Sequence, residues 1–384
     1  MKVLICPDSF KGTFSASRIS ELIAQGIKRA DPQVHIQRIP LADGGEGTLT
    51  VLSSWLHMYR KKVSGPLGRK SKVSARFGIM KKEPSTAVIE TAEAMGLHLV
   101  PEDKRNPLNT TTFGVGELMK AALDKNCTKI VLGIGGSSTT DAGMGMAQAL
   151  GVKFFDKAQQ EIQVAKKEGY SGASLAELYS IDCSGLDSRI KDSQFLVASD
   201  VRNPLYGRKG AAYVYAPQKG ASASQVTLLD KGLRNFARAV KRSLHMEIAG
   251  GQGAGAAGGL GAGLIVFLGA EIISGIDFVM QVLQLEKFVK QSDVIITGEG
   301  RIDAQTVAGK TISGVISAAE KFHKPVIVVA GSLGLGYEKI RNNQVSIIED
   351  ASRGLRRPLT YFKNHPELIQ EAASNAFTRW RDSR

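Results

Sequence analysis

Val3-Leu4-Ile5-Cys6-Pro7-Asp8-Ser9-Phe10-Lys11-Gly12 is a short apolar run that empties into a turn carrying an acid, a hydroxyl, a cation and a glycine. It reads as a strand over 2–6 whose end places a carboxylate and bare backbone N–H groups at the rim of a sheet. Ile19, Leu22, Ile23 and Ile27 follow at helical spacing, and Asp31-Pro32 stops that helix. A second strand over 34–39 leads through Ala42-Asp43-Gly44-Gly45-Glu46-Gly47-Thr48 into another helix, expected to reach Met58. Such a βαβα opening belongs to a parallel sheet covered by helices.

The same device recurs downstream. Ile130-Val131-Leu132-Gly133-Ile134-Gly135-Gly136-Ser137-Ser138, with Asp141 behind it, and Val294-Ile295-Ile296-Thr297-Gly298-Glu299-Gly300-Arg301-Ile302-Asp303 are again apolar runs that end in glycine, hydroxyl or acid. Open α/β sheets bind ligands along the rim outside the carboxyl ends of their strands. Glycine lets backbone approach an anion, and carboxylates hold metal ions or take protons. Four such turns in one chain point to an enzyme that handles phosphate.

Further strands are expected at 86–90, 129–134, 194–198, 212–216, 294–297 and 326–330. Helices are expected at 112–124, from Asp141 to Gly151, at 278–290 and at 311–321. Residues 60–84 are basic and broken by Gly65-Pro66, Gly68 and Gly78, and read as a domain crossing. The fold class is therefore α/β with two domains. A flavodoxin- or Rossmann-like parallel-sheet domain is built from both chain ends (1–60 plus 285–384), and a smaller mixed α/β domain (61–284) is inserted.

With 384 residues, 43% of them apolar, the chain has the length for two or three domains and a sizeable core. It opens directly into a strand with no basic leader, so a cytoplasmic protein is expected. Cys6, Cys127 and Cys183 form no CxxC pair and read as structural thiols. The six histidines show no HxxxH spacing, which argues against zinc. No charge falls between Glu247 and Glu271, but eight of the fourteen residues 250–263 are glycine, a poor membrane helix. A buried glycine-rich turn followed by a core helix is the better reading. Net charge is +14, and 59–82 carries nine Lys or Arg with no acid. No nucleic-acid motif accompanies that stretch, so it reads as a solvated basic face.

Two familiar patterns are weak here. Ala304-Gln305-Thr306-Val307-Ala308-Gly309-Lys310-Thr311 fits a loose Walker A pattern, but a P-loop follows its strand at once, and here six residues intervene. A helix start near an anion suits Gly309-Lys310-Thr311 better. Gly253-Ala254-Gly255-Ala256-Ala257-Gly258 matches GxGxxG, yet no convincing strand precedes it. Close backbone packing is favoured there over NAD binding. By contrast, Gly133–Asp141 combines strand, glycine turn, four hydroxyls and helix start, the makings of a nest of donors for phosphate. Simple helix capping by Thr140 or Asp141 is its plain alternative. Asp8, Asp43, Glu46, Asp200, Glu299 and Asp303 all stand at strand ends, with Lys11, Lys219, Arg301 and Lys310 beside glycine turns. Phosphoryl transfer needs carboxylates for Mg²⁺, an acid to accept the hydroxyl proton, and cations for the transferring group.

Taken together, Pro7–Gly12, Ala42–Thr48, Gly133–Ser137, Asn203-Pro204-Leu205-Tyr206-Gly207, Pro217-Gln218-Lys219-Gly220-Ala221, 253–259 and 297–303 resemble the bacterial glycerate kinase family (type 1) in order and spacing. The resemblance runs from residue 3 to about 332. It implies ATP-dependent, Mg²⁺-dependent phosphorylation of D-glycerate, with 2-phosphoglycerate as product, by a flavodoxin-like domain and a second α/β domain. The sequence departs from the family pattern at Thr140, Ala142, Ser199 and Gln252, and over 350–357.

On that reading the active site lies in a cleft between the two domains. Asp200 is the expected base, with Asp43 next in line and Lys11 as a catalytic cation. Glu299 and Asp303 are candidates for Mg²⁺. Asp8, Ser9, Arg301 and Lys219 are candidates for substrate, and Gly135, Gly136, Ser137, Ser138 and Lys310 for the nucleotide phosphates. A small-molecule substrate is expected with no nucleic-acid or membrane partner, and a homodimer is an open possibility. The alternatives are a 3-kinase, a kinase of another small hydroxy acid, an NAD-linked oxidoreductase and a basic nucleic-acid-binding protein.

Overall fold

In a computed structural model of the chain, which describes residues 1–163, 169–304, 311–354 and 358–384, the opening run is the strand Lys2–Ile5. The helix Ala16–Ala30 follows. Its first turn is capped by the Ser15 hydroxyl, which accepts from the Arg18 N–H at 3.3 Å. Lys28 and Arg29 occupy its last turn, where cations suit the helix dipole. The chain forms an α/β structure of two compact units. One contains Met1–Asp43, Thr50–Leu52 and Ser274–Arg384; the other contains Gly44–Leu49 and Ser53–Ile273 and is the larger by residue count.

The first unit holds a five-stranded sheet in the order Val345–Asp350, Val326–Leu333, Val294–Ile302, Lys2–Ile5, His35–Arg38, with every neighbouring pair parallel. Counted in chain order within the unit, this is 2-1-3-4-5, the flavodoxin-like order. Period-2 alternation puts Val3 and Ile5, Val294 and Ile296, and Ile327 and Val329 on one face. There they share a core with Ile19, Leu22, Ile23 and Ile27 of the first helix and with Phe377 and Trp380 of Glu367–Asp382. The two helices approach so closely that a Cβ at Gly26 would lie 2.1 Å from the Gln370 carbonyl oxygen.

Two expectations for this unit need correction. The turn expected after Thr297 is strand: Val294–Ile302 runs on, with Gly298 opposite Val329, Glu299 opposite Ala330 and Arg301 opposite Ser332. Glycines read as breakers are instead positions of close approach, since a Cβ at Gly298 would lie 2.2 Å from the Val329 carbonyl oxygen. The helix expected over 278–290 is two, Gly275–Val282 and Leu285–Gln291, broken where Gln284 turns left-handed at φ 53°.

The second unit holds a six-stranded mixed sheet in the order Glu271–Ile273, Gln194–Ala198, Lys129–Gly133, Thr86–Glu90, Gly68–Met80, Leu56–Gly65. The first four run parallel, and the last two form an antiparallel hairpin. That hairpin occupies the stretch read as a basic domain crossing, and the expected helix to Met58 shrinks to Thr48–Val51. Its outer strand exposes Arg60, Lys61 and Lys62. Lysine on an outer strand keeps other chains from pairing with the open edge. The strand expected at 212–216 is the helix Ala211–Tyr215, where packing against the helices Ala223–Leu244 and Ala256–Leu268 overrides its β-prone Tyr-Val-Tyr.

The glycine run is a turn leading into the helix Ala256–Leu268, interrupted by left-handed Ala257, Gly258 and Gly259. A Cβ at Gly258 would lie 2.0 Å from the Thr139 carbonyl oxygen, and one at Gly255 2.2 Å from that of Pro204. The GxGxxG pattern thus serves close backbone packing. Among the described residues no strand leads into it, and no helix is long and apolar enough to cross a membrane. The three cysteines are unbridged.

Candidate active site

The carboxyl ends of Lys2–Ile5 and Val294–Ile302, adjacent strands at which the order of the first sheet reverses, form the topological switch point of that unit. Asp8, Ser9 and Lys11 follow the first strand, Glu299 and Arg301 lie in the second where it runs on past the end of the first, and Asp303 follows it. The Asp8 N–H donates to the Gly298 carbonyl at 2.9 Å, and the Thr297 hydroxyl donates to the Cys6 carbonyl at 2.9 Å, locking the two ends together.

Asp8 is 5% exposed. The Ser9 N–H donates to its Oδ1 and the Thr311 hydroxyl to its Oδ2, each at 2.6 Å. Burial pushes the Asp8 carboxyl above the ordinary carboxylate range and the Asp43 charge adds to this, while the bonds from Thr311 and Ser9 pull it back. Lys11 Nζ lies 3.2 Å from Asp43 Oδ2. Asp43 holds the Lys11 ammonium above its ordinary value, with Asp8 and Glu299 adding to the effect. Asp8, Lys11, Asp43 and Glu299 are therefore one electrostatic group. Arg301 Nε lies 3.5 Å from Asp303 Oδ2, so these two form a pair. Lys310 lies outside the described residues.

In the second unit, the strands Thr86–Glu90, Lys129–Gly133 and Gln194–Ala198 end level: Glu90 and Ala198 both stand opposite Gly133. Glu90, Gly135 and Asp200 leave the sheet at this rim, and Asp200 is half-buried. Gly133 and Gly135 are small because the Gly44–Gly47 loop lies on them. A Cβ at Gly133 would be 1.9 Å from the Gly44 carbonyl oxygen, and one at Gly135 2.9 Å from Gly45 Cα. Gly136 is left-handed at φ 71°.

Glu90 pins that loop. It accepts from the Gly47 N–H at 2.9 Å and the Leu49 N–H at 3.1 Å. Burial pushes its carboxyl up, and those two bonds oppose the shift. Sequence reasoning passed over Glu90, and read Thr311 only as part of a helix start near an anion. Glu90 shows the signal sought in the other acids, an acid closing an apolar strand; the pairing of Thr311 with Asp8 shows none, because the two are 303 residues apart.

Lys219 Nζ is buried and donates to Ser137 Oγ at 2.8 Å and the Thr139 carbonyl at 2.6 Å. Lys219 and the 135–138 turn, assigned from sequence to different ligands, are thus one structure. Burial pushes Lys219 down to about 7, with Asp141 pulling the other way. Asp141 is fully buried and accepts from the Thr112 N–H and hydroxyl and from the N–H groups of Gly143 and Gly145. It ties Thr112 to the turn that opens the helix Met144–Ala149. Ser138 is an anchor as well, its N–H and hydroxyl both reaching the Met95 carbonyl at 2.9 Å. Among the described residues, the backbone N–H groups of Gly135, Gly136 and Ser137 donate to nothing.

Among the described residues, no three His, Cys, Asp or Glu side chains converge as a metal site does. The carboxylates present are hard oxygen donors of the kind that suits Mg²⁺, an ion commonly held by one or two carboxylates plus substrate phosphates.

A profile of the Glycerate kinase family matches residues 3–381. The chain is 48% identical over 340 residues to a glycerate kinase of Halalkalibacterium halodurans, covering 88% of this chain and 87% of that protein. It is 47% identical over 335 residues to an Escherichia coli protein named glycerate 2-kinase, covering 87% and 86%. A crystal structure assigned to glycerate kinase 2 of Salmonella typhimurium LT2 superposes with a TM-score of 0.79 at 38% identity, covering 100% of this chain and 99% of the other.

Proposed function

Because the chain belongs to the Glycerate kinase family, and is a phosphotransferase acting on glycerate with ATP as donor, we propose that it phosphorylates the C2 hydroxyl of D-glycerate to give 2-phosphoglycerate. The observation that carries this reading is the likeness to a relative named as a 2-kinase over most of both chains. The acids and donors at strand ends supply chemistry that suits it.

Asp200 is the proposed base for the glycerate hydroxyl proton. Asp43, which pairs with Lys11, is next in line. Lys11 neutralises developing charge on the transferring phosphoryl group. Asp8, held ready by Thr311 and by the N–H of Ser9, and Arg301, held by Asp303, orient the substrate. Gly135, Gly136 and Ser137 receive phosphate oxygens on backbone N–H and hydroxyl donors. Glu299 in the Val294–Ile302 strand and Asp303 just past its end would hold Mg²⁺. When bound, that ion supplies positive charge to the donor phosphates. The unbridged thiols fit a reducing cytoplasm, and the basic hairpin is read as edge protection rather than a nucleic-acid surface.

The test is ADP release from MgATP that depends on added D-glycerate. Asp200→Asn should abolish that turnover while ATP binding persists; near-normal kcat in this variant removes Asp200 from the role of base.

A further inference from the structure

Four hydroxyls follow one another at 137–140, and three spend their protons inside the protein. Ser138 Oγ donates to the Met95 carbonyl at 2.9 Å, Thr139 Oγ1 to Met95 Sδ at 3.5 Å and Thr140 Oγ1 to the Thr139 carbonyl at 2.9 Å. Ser137 differs. It is only 8% exposed, it accepts a bond from Lys219, and among the described residues nothing accepts from it.

Lys219 is as unusual. It is 2% exposed, and among the described residues no carboxylate lies within ion-pair distance of it. Asp141, the acid whose charge it feels, has its oxygens engaged by Thr112, Gly143 and Gly145. The segment cannot slide to relieve this. It ends the short turn Pro217–Lys219 at a left-handed Gly220 (φ 93°), where a Cβ would lie 2.3 Å from the Arg105 carbonyl oxygen. A buried ammonium without a counter-charge is costly. An ammonium also has donors and no acceptor, so a hydroxyl bonded to it must accept and direct its own proton elsewhere.

We propose that Lys219 is a positioning residue for the anion turn: by donating to Ser137 Oγ it presents the Ser137 proton to an anionic oxygen of the ligand bound at Gly135–Ser137. The inference rests on reading that turn as an anion site. The ligand chemistry is a phosphate or carboxylate oxygen, and the nucleotide and the glycerate are its two sources. Lys219 then supplies orientation, and Ser137 supplies the contact.

The test uses full-length protein carrying Lys219→Met, Ser137→Ala or both. Calorimetry measures binding of a non-hydrolysable ATP analogue with Mg²⁺ and, separately, of D-glycerate. Each single variant should weaken the same one ligand about tenfold, the scale of a charge-assisted hydrogen bond. The double variant should be no weaker than the weaker single. Loss confined to the ATP analogue assigns the phosphate, and loss confined to glycerate assigns the carboxylate. Losses that multiply in the double variant overturn the proposal, as does normal binding of both ligands by Ser137→Ala. If Lys219→Met fails to fold, Ser137→Ala decides alone, with Ser137→Thr expected to restore binding. Wild-type protein that phosphorylates D-glycerate while Ser137→Ala binds both ligands normally refutes this inference only. Wild-type protein without glycerate-dependent ADP release refutes the reading beneath it.

Discussion

Thr311 Oγ1 donates a 2.6 Å hydrogen bond to Asp8 Oδ2, tying the first turn of the helix Thr311–Lys321 to the loop after the first strand. The bond favours the ionised carboxylate in a place where burial and Asp43 disfavour it. Thr311→Val keeps the shape and removes the donor, so the Asp8 pKa should rise. The acidic limb of kcat/KM against pH should then move to higher pH by about one unit, the scale of a hydrogen bond to a charged group. An unmoved limb would mean that Asp8 ionisation does not govern the rate.

Gly133→Ala should be damaging although φ at this position is ordinary. The added Cβ would lie 1.9 Å from the Gly44 carbonyl oxygen, which is backbone and cannot rotate away. A loss of about 1–3 kcal/mol is expected for overpacking, together with lower kcat/KM as the Gly44–Gly47 loop lifts. Urea unfolding and steady-state kinetics measure the two effects. Wild-type values in both would show that the loop is free to move.

Glu90→Gln replaces one carboxylate oxygen with an NH₂ group that would face the N–H of Gly47 or Leu49. About 1–3 kcal/mol should be lost for the unsatisfied donor, and Glu90→Ala should lose more. A thermal midpoint equal to wild type in Glu90→Gln would mean that the loop is held by packing alone.

Lys219 gives a pH dependence whose sign can be worked out. Its folded value of about 7 lies below the ordinary 10.5, so between these limits the unfolded chain binds a proton that the folded chain does not. Stability therefore rises with pH across that window, and the burial penalty is fully present below about 7. The effect is on the order of 5 kcal/mol, the Asp141 charge having already offset part of the burial penalty. Wild type should gain on Lys219→Met in urea midpoint as pH rises from 7 towards 10. Parallel profiles would show that the Lys219 amine stays protonated in the fold.

The opening of the fold was legible because Ile19, Leu22, Ile23 and Ile27 keep helical period and the strand before them is uniformly apolar. Asp8 and Asp200 were legible as acids just past apolar strands, whereas Glu90, which closes one in the same way, was passed over. The hairpin Leu56–Met80 was hidden by its charge: Arg60, Lys61 and Lys62 stand side by side on an outer strand and blur the alternation. Gly298 and Gly300 masked the continuing strand because glycine as breaker and glycine as close-approach residue look alike in sequence. Pairings such as Lys219 with Ser137, 82 residues apart, leave no local signal at all. Arg301 with Asp303 was readable in spacing, but the two were assigned to different partners.

The most direct measurement is the identity of the product. Protein incubated with MgATP and D-glycerate should yield 2-phosphoglycerate, recognised by ³¹P coupling to the C2 proton in NMR. Coupling to the C3 methylene protons, or no phosphorylated glycerate, would contradict the account.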